Sequence, residues 1–203
     1  IHDPSADTVR TTAALYADGN IDFETWLLQP GLRADYYQLS PDTADYQQIS
    51  SDIAQVQKQH RYALSPRIGA VWKHSAAFQP YAQYSRGFHA PSSQQISSSW
   101  GINNVYSIIG NARLKPEYAD NFEIGVRGNT TGPADAIRWQ WDASLYYARF
   151  HDEILSIDNI AAPGTSLSTN VDSTVHAGIE ALFGASIPLG GGHRIEPLVS
   201  ATY

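Results

Sequence analysis

Cysteine and methionine are both absent from the 203 residues. Without cysteine there is no disulfide framework and no thiolate metal site, and the redox compartment is left open. Without methionine there is no initiator. No signal peptide is legible at Ile1, and residues 199–203 stop inside what reads as a strand, so the chain is expected to be an internal piece of a longer protein. Charge is sparse, at 16% Asp, Glu, Lys and Arg against roughly 25% in an average globular domain. The balance is acidic, with net charge −7 and pI about 5.4. With no basic cluster or stripe, a nucleic-acid partner is not expected. No apolar run reaches the ~18 residues of a transmembrane helix. The mean hydropathy of −0.32 reads as soluble on a helix-oriented scale.

Sites of catalysis are equally thin. Asp152 and Glu153 are adjacent, so on a strand they point to opposite faces and cannot flank a substrate as an acid/base pair. The seven histidines lack the spacing of a metal site. Gly190, Gly191 and Gly192 lie between two strands and read as a turn, not a phosphate loop. No G-x-S-x-G elbow occurs. The expectation is a protein that is not an enzyme.

What the chain does have is alternation on two scales. Along each segment apolar and polar residues alternate, and between segments short and long connections alternate. Short turns fall near 17–24, 74–76, 129–136 and 188–192; long polar loops fall near 40–61, 89–117 and 158–168. In an up-and-down antiparallel sheet every second connection leaves from the same edge. Sorting by length therefore gives the two rims different jobs, as in an outer-membrane barrel with tight turns on one side and large loops on the other.

About eight strands of about ten residues follow from the pattern, the length a tilted strand needs to cross a bilayer. The rows are clearest in three places. Leu64, Pro66, Ile68, Ala70 and Trp72 oppose Ser65, Arg67 and Gly69. Trp139, Trp141, Ala143, Leu145 and Tyr147 oppose Gln140, Asp142 and Ser144. Val175, Ala177, Ile179, Ala181 and Phe183 oppose His176, Gly178 and Glu180. Period alone does not say which row is wet. The aromatics favour lipid on the apolar row: Trp26, Trp72, Trp139 and Trp141 gather near the short turns, and Tyr36, Tyr84 and Tyr147 near the long loops, like interfacial girdles. The expected fold is all-β, an antiparallel up-and-down transmembrane β-barrel seen in part. On the polar row Arg33, Arg67, Glu123, Arg127, Arg138, Asp142 and Glu180 are expected to pair across strands.

Two boxes carry a family resemblance. Tyr84-Ser85-Arg86-Gly87-Phe88-His89-Ala90-Pro91-Ser92 is similar to the Y-x-x-G-F-R-A-P-S box of TonB-dependent outer-membrane receptors. Asn111-Ala112-Arg113-Leu114-Lys115-Pro116-Glu117, with Asn121-Phe122-Glu123-Ile124-Gly125-Val126-Arg127-Gly128 after it, resembles that family's N-P-D-L-K-P-E box and E-x-G-x-R-G strand. Weaker matches at residues 30–36, 65–69 and 178–180 keep the family's order. The physics of the boxes is that of a loop base. Gly87 lets the strand bend, Pro91 ends its ladder, Pro116 sets an extended entry to the next strand, and Lys115 and Glu117 can tie the base by charge. Gly87, Phe88, Ala90, Pro91, Asn111, Leu114, Lys115, Pro116 and Glu117 are thus expected to anchor the loop between them.

The resemblance implies a bacterial outer-membrane receptor for an iron chelate, either haem or a ferric siderophore, carried as transported ligand rather than as a tightly bound cofactor. It also implies lipid around the barrel, a plug domain inside it and the TonB energising complex as partners. Residues 1–203 would then be part of the barrel domain, with plug and C-terminal strands outside the chain. Recognition is expected on the loop 92–110, where Trp100, Asn103, Asn104 and Tyr106 offer stacking and hydrogen bonds. Haem receptors of the family carry a His between the two boxes. None lies here, which leaves Tyr106, or His89 in place of the family's Arg, as the nearest candidate iron ligand. Two other classes stay open on the residues: a passive porin-like or adhesive barrel, and a soluble β-sandwich binding module.

Overall fold

β-branched and aromatic residues on alternate positions favour long pleated strands, and long pleated strands are what the chain forms. The computed structural model describes residues 8–41, 58–96, 99–100, 106–109, 111, 113–133, 135–158, 160 and 163–203. The strands run β1 (Thr8–Asp18), β2 (Ile21–Asp22), β3 (Trp26–Pro41), β4 (Gln59–Trp72), β5 (Gln79–His89), β6 (Ser99–Trp100), β7 (Tyr106–Ile109), β8 (Glu117–Asn129), β9 (Arg138–Asp158), β10 (Ser166–Gly190), β11 (His193–Ile195) and β12 (Leu198–Thr202). One four-residue helix, α1 (Ser93–Ile96), follows β5.

The wall is an antiparallel meander, β1-β3-β4-β5-β8-β9-β10, continued by β11 and β12 on the lower half of β10. Counting β11 and β12 as one interrupted strand gives eight long strands, as the pattern predicts. Among the described residues β1 and β12 do not pair, so the sheet is an unclosed part of a barrel. β9 and β10 extend well beyond the expected ten residues. Their ladder runs from Ser166↔Asp158 to Ser186↔Arg138, and its upper third stands above β8, whose pairing with β9 ends at Tyr118↔His151. The triple-glycine turn has φ of 82°, 61° and 82° at Gly190, Gly191 and Gly192, a left-handed run that L side chains disfavour.

The register stacks the apolar residues into level rows. Ala82, Ile124, Leu145 and Ile179 stand side by side on four strands. One step toward the long loops come Tyr84, Phe122 and Tyr147, with ring centroids 5.0 and 6.5 Å apart. At the short-turn rim Trp26 stacks on Trp72 at 6.3 Å and Trp139 on Phe183 at 5.5 Å. Tyr147 to Trp139 is about 26 Å of strand, or about 20 Å of height at a ~40° tilt. That is close to the apolar band of an outer-membrane barrel.

Burial runs opposite to that of a water-soluble sheet. On the apolar row Ile124 is 58% exposed, Leu145 51% and Ile179 51%, whereas Ser144 on the polar row is 6% exposed. A soluble sandwich would cover the apolar row with a second sheet; among the described residues nothing covers it. Among the described residues no helix is long and apolar enough to cross a membrane.

Two readings of the alternation need correction. The first concerns Asp152, whose φ of 53° breaks the strand period. Asp152 faces Lys115, while Glu153 faces Thr174 and His176, so the two carboxylates have separate partners, but a left-handed residue rather than regular strand alternation sets them there. The second concerns Arg33, which pairs along its own strand with Asp35 at 2.8 Å rather than across to a neighbour.

Candidate functional site

The loop rim is built around a small apolar cluster. Tyr37 and Leu39 continue the polar parity of β3, yet they are 3% and 1% exposed. They pack with Ala90, Ile96 and Leu114, and with Phe88 and Ile154 at the margin. Phe88, Ala90 and Leu114 come from the two boxes and Ile96 from α1, so the residues that frame the loop meet in one core. Tyr37 also donates its hydroxyl to the carbonyl of Pro91 at 3.1 Å, which satisfies a polar group the packing would otherwise strand. Loss of alternation at Tyr37 and Leu39 is the sequence signal that marks this core.

Box chemistry continues into α1 through a reciprocal cap. Ser92 N–H donates to Gln95 Oε1 at 2.8 Å and Gln95 N–H donates to Ser92 Oγ at 3.3 Å, the S-x-x-Q capping box. Asn111 receives the returning chain: its N–H donates to the Gln95 carbonyl at 2.8 Å and its Nδ2 to the Ser168 carbonyl at 3.0 Å. Lys115 N–H then donates to Asn170 Oδ1 at 2.8 Å. Asn170 Nδ2 donates back to the carbonyls of Lys115 at 3.0 Å and Asp152 at 2.6 Å. Lys115 Nζ reaches Asp152 at 3.4 Å. Pro116 is buried, and Glu117 accepts from Ile154 N–H at 2.8 Å. Gly87 pairs with Ala119 in the β5–β8 ladder.

The candidate ligand-contact residues are placed by backbone. Trp100 and Tyr106 oppose each other across the β6–β7 hairpin, and Asn103 and Asn104 lie outside the described residues. β7 then docks parallel on β10, Ser166↔Ile108 and Leu167↔Ile109, on the edge away from β9. The excursion that leaves β5 therefore crosses the loop ends of β8 and β9 before returning to start β8. A purely antiparallel meander did not anticipate this parallel pair. His89 Nδ1 lies 3.0 Å from Glu117 Oε1, so a metal at His89 would have to take Nε2. No group of three or more His, Asp or Glu residues has metal-site geometry among the described residues.

Further along the inner face, Tyr81 Oη lies 2.7 Å from Glu123 Oε1 and 3.0 Å from Asp142 Oδ1, and Gln83 Nε2 donates to Glu123 at 2.6 Å. Arg127 sits over the Tyr81 ring at 5.7 Å. Arg67 pairs with Asp18 at 2.8 Å. This face is hydrophilic and tied across strands, as a water-filled or plugged lumen requires.

An outward apolar belt, an inward polar network and a core under one long loop are the geometry of an outer-membrane receptor wall. The family model described as TonB dependent receptor-like, beta-barrel, matches residues 2–202. The chain belongs to that family. Among solved structures it is similar to the Serratia marcescens hemophore receptor HasR, in complex with its hemophore HasA and heme. Identity is 15% and the TM-score 0.75, over 99% of this chain and 35% of HasR. It is also similar to the copper transporter OprC (19% identity, TM-score 0.67, 98% of this chain and 29% of that one). A third is the siderophore receptor PirA of Pseudomonas aeruginosa (14%, TM-score 0.58, 97% and 43%). At such identities the likeness is one of fold, and the chain spans about a third of the length of these proteins. No curated protein sequence matches it.

Proposed function

We propose that this chain is barrel wall and extracellular loop of a TonB-dependent receptor in the outer membrane of a Gram-negative bacterium, taking up an iron chelate. The exposed apolar belt between two aromatic girdles supports the membrane setting, because nothing but lipid or detergent satisfies a surface of that kind. Membership of the receptor family supports the mode of action: capture at the loops, a plug inside the barrel, and energy from the TonB complex. The ligand class rests on two supports. One is the loop 92–110, which bears Trp100 and Tyr106 on facing strands. The other is the haem and siderophore receptors among the similar folds. Iron is cargo in this reading, and the chain has no resident cofactor and no catalytic role.

The test is uptake by the intact receptor in cells starved of iron, with haem or a ferric siderophore as the iron source. Growth that requires both this receptor and a functional TonB complex supports the proposal. Uptake indifferent to TonB, with solutes passing by diffusion, would instead make it a passive pore.

A further inference from the structure

On the outer face, the row directly above the Tyr84–Phe122–Tyr147 girdle is charged. Arg86, Asp120 and Arg149 stand side by side in register on β5, β8 and β9, and His151 is one step further on β9. Asp120 is fully engaged within this group. Arg86 donates to both of its oxygens, at 2.8 and 2.7 Å, and Tyr84 Oη donates at 2.8 Å. His151 Nε2 lies 3.3 Å away. Arg149, next in the row, forms no ion pair among the described residues, and it is exposed. One carboxylate is thus shared by two cationic or ionisable groups while a second guanidinium stands free. The patch carries net positive charge on a protein whose overall charge is −7.

Resting on the outer-membrane reading above, we propose that Arg86, Arg149 and His151 hold a phosphate-bearing lipid headgroup of the surrounding outer leaflet. Depth is set by the girdle: Tyr84 and Tyr147 belong at the headgroup boundary, and one pleat further, about 7 Å along the strand, is the level of the phosphates. A guanidinium there snorkels without crossing hydrocarbon and offers paired N–H donors that fit a phosphate in two-point fashion. The Asp120 carboxylate, held by Arg86, fixes the near side of the patch and leaves Arg149 as the arm that closes on the lipid. A free inorganic anion would find this patch screened and open; a lipid is kept there by its acyl chains lying on Phe122, Ile124 and Leu145 below.

The test uses the full-length receptor, purified and delipidated in detergent. Rebinding is measured by native mass spectrometry with bisphosphorylated lipid A, with the same lipid dephosphorylated, and with inorganic phosphate as competitor. Expected are retention of the phosphorylated lipid by the unmodified receptor, a loss of at least five-fold in Arg149→Gln, and recovery of most of it in Arg149→Lys. Heat-modifiable migration verifies that each variant folds; among the described residues Arg149 has no ion-pair partner whose loss would unfold the barrel. Equal retention of both lipids, equal retention by Arg149→Gln, or displacement by millimolar inorganic phosphate would overturn the lipid assignment while leaving the barrel intact. A receptor that fails to insert in bilayers at all would overturn the outer-membrane reading itself, and the lipid assignment with it.

Discussion

Tyr81 and Asp142 are hydrogen-bonded at 3.0 Å although a whole strand, β8, lies between them. The contact is made over Gly125, where a Cβ would come within 2.6 Å of the Tyr81 ring and 2.8 Å of the Ala143 carbonyl. Gly125 is a glycine because the ring occupies the space of its missing side chain. Gly125→Ala must push Tyr81 off both Glu123 and Asp142, and a destabilisation of about 1–3 kcal/mol is expected from overpacking. Tyr81→Phe removes only the hydroxyl and should cost about 1–2 kcal/mol. Urea unfolding of the intact receptor in detergent checks both. Gly125→Ala no worse than wild type would show that the ring moves freely.

Ala82 and Gln83 test the assignment of faces from neighbouring positions on one strand. Ala82 is exposed in the mid-belt row with Ile124, Leu145 and Ile179, while Gln83 donates to Glu123 on the other face. Ala82→Arg should cost about 2–4 kcal/mol of folding in bilayers, the penalty of a cation near the midplane. Gln83→Arg keeps a donor beside Glu123 and should fold like wild type. Heat-modifiable mobility after folding into lipid vesicles reads both, and equal folding of the two would reverse the faces.

The faces were legible in the sequence because a strand's period is two and the side chains on each row are chemically uniform. Trp72, Trp139 and Ile179 needed nothing further to be placed. The loop rim was legible only in part. The boxes locate the ends of the excursion, but what they pack against depends on Tyr37, Leu39 and Ile96. Those residues lie far along the chain from their partners, as Tyr37 lies 54 positions from Pro91, or sit in a polar stretch with no period of its own. The docking of β7 on β10 is longer in range still, and parallel pairs of two residues leave no pattern in a sequence. Asp152 escaped because a single left-handed residue inverts the alternation that the reading assumed.

Asn170 ties the loop base more tightly than Lys115 of the second box. Its amide bridges Lys115 N–H, the Lys115 carbonyl and the Asp152 carbonyl at 2.8, 3.0 and 2.6 Å. Asn170→Asp keeps the acceptor but replaces a two-way donor with an anion facing two carbonyls. A local loss of about 1–3 kcal/mol follows from unmade hydrogen bonds in a partly buried site. Limited proteolysis of the intact receptor should then cleave within 92–116 before the barrel unfolds, since local opening precedes global opening where few contacts hold a segment. Lys115→Ala, which removes only an exposed 3.4 Å ion pair, should change cleavage little. Similar protection in Asn170→Asp and wild type would assign the loop base to the apolar cluster alone.

Trp100 and Tyr106 face each other across a hairpin docked on β10, at the rim that bears the long loops. If the loop captures an iron chelate, Trp100→Ala and Tyr106→Ala should each weaken binding, an aromatic contact being worth of order 1 kcal/mol, or about five-fold in Kd. The two effects should be less than additive, because the residues share one hairpin. For haem the side chains separate further. Tyr106→Phe keeps the ring and removes the phenol oxygen, so an altered haem absorption spectrum would identify Tyr106 as an iron ligand. His89→Ala tests the alternative, and it also frees Glu117, which still holds Ile154 N–H and so keeps the rim folded. Titration of the intact receptor with haem and with a ferric siderophore reads all four variants. Unchanged affinity in both alanine variants would move recognition off this loop. A spectrum unchanged in both Tyr106→Phe and His89→Ala would leave a siderophore as the ligand these residues suit.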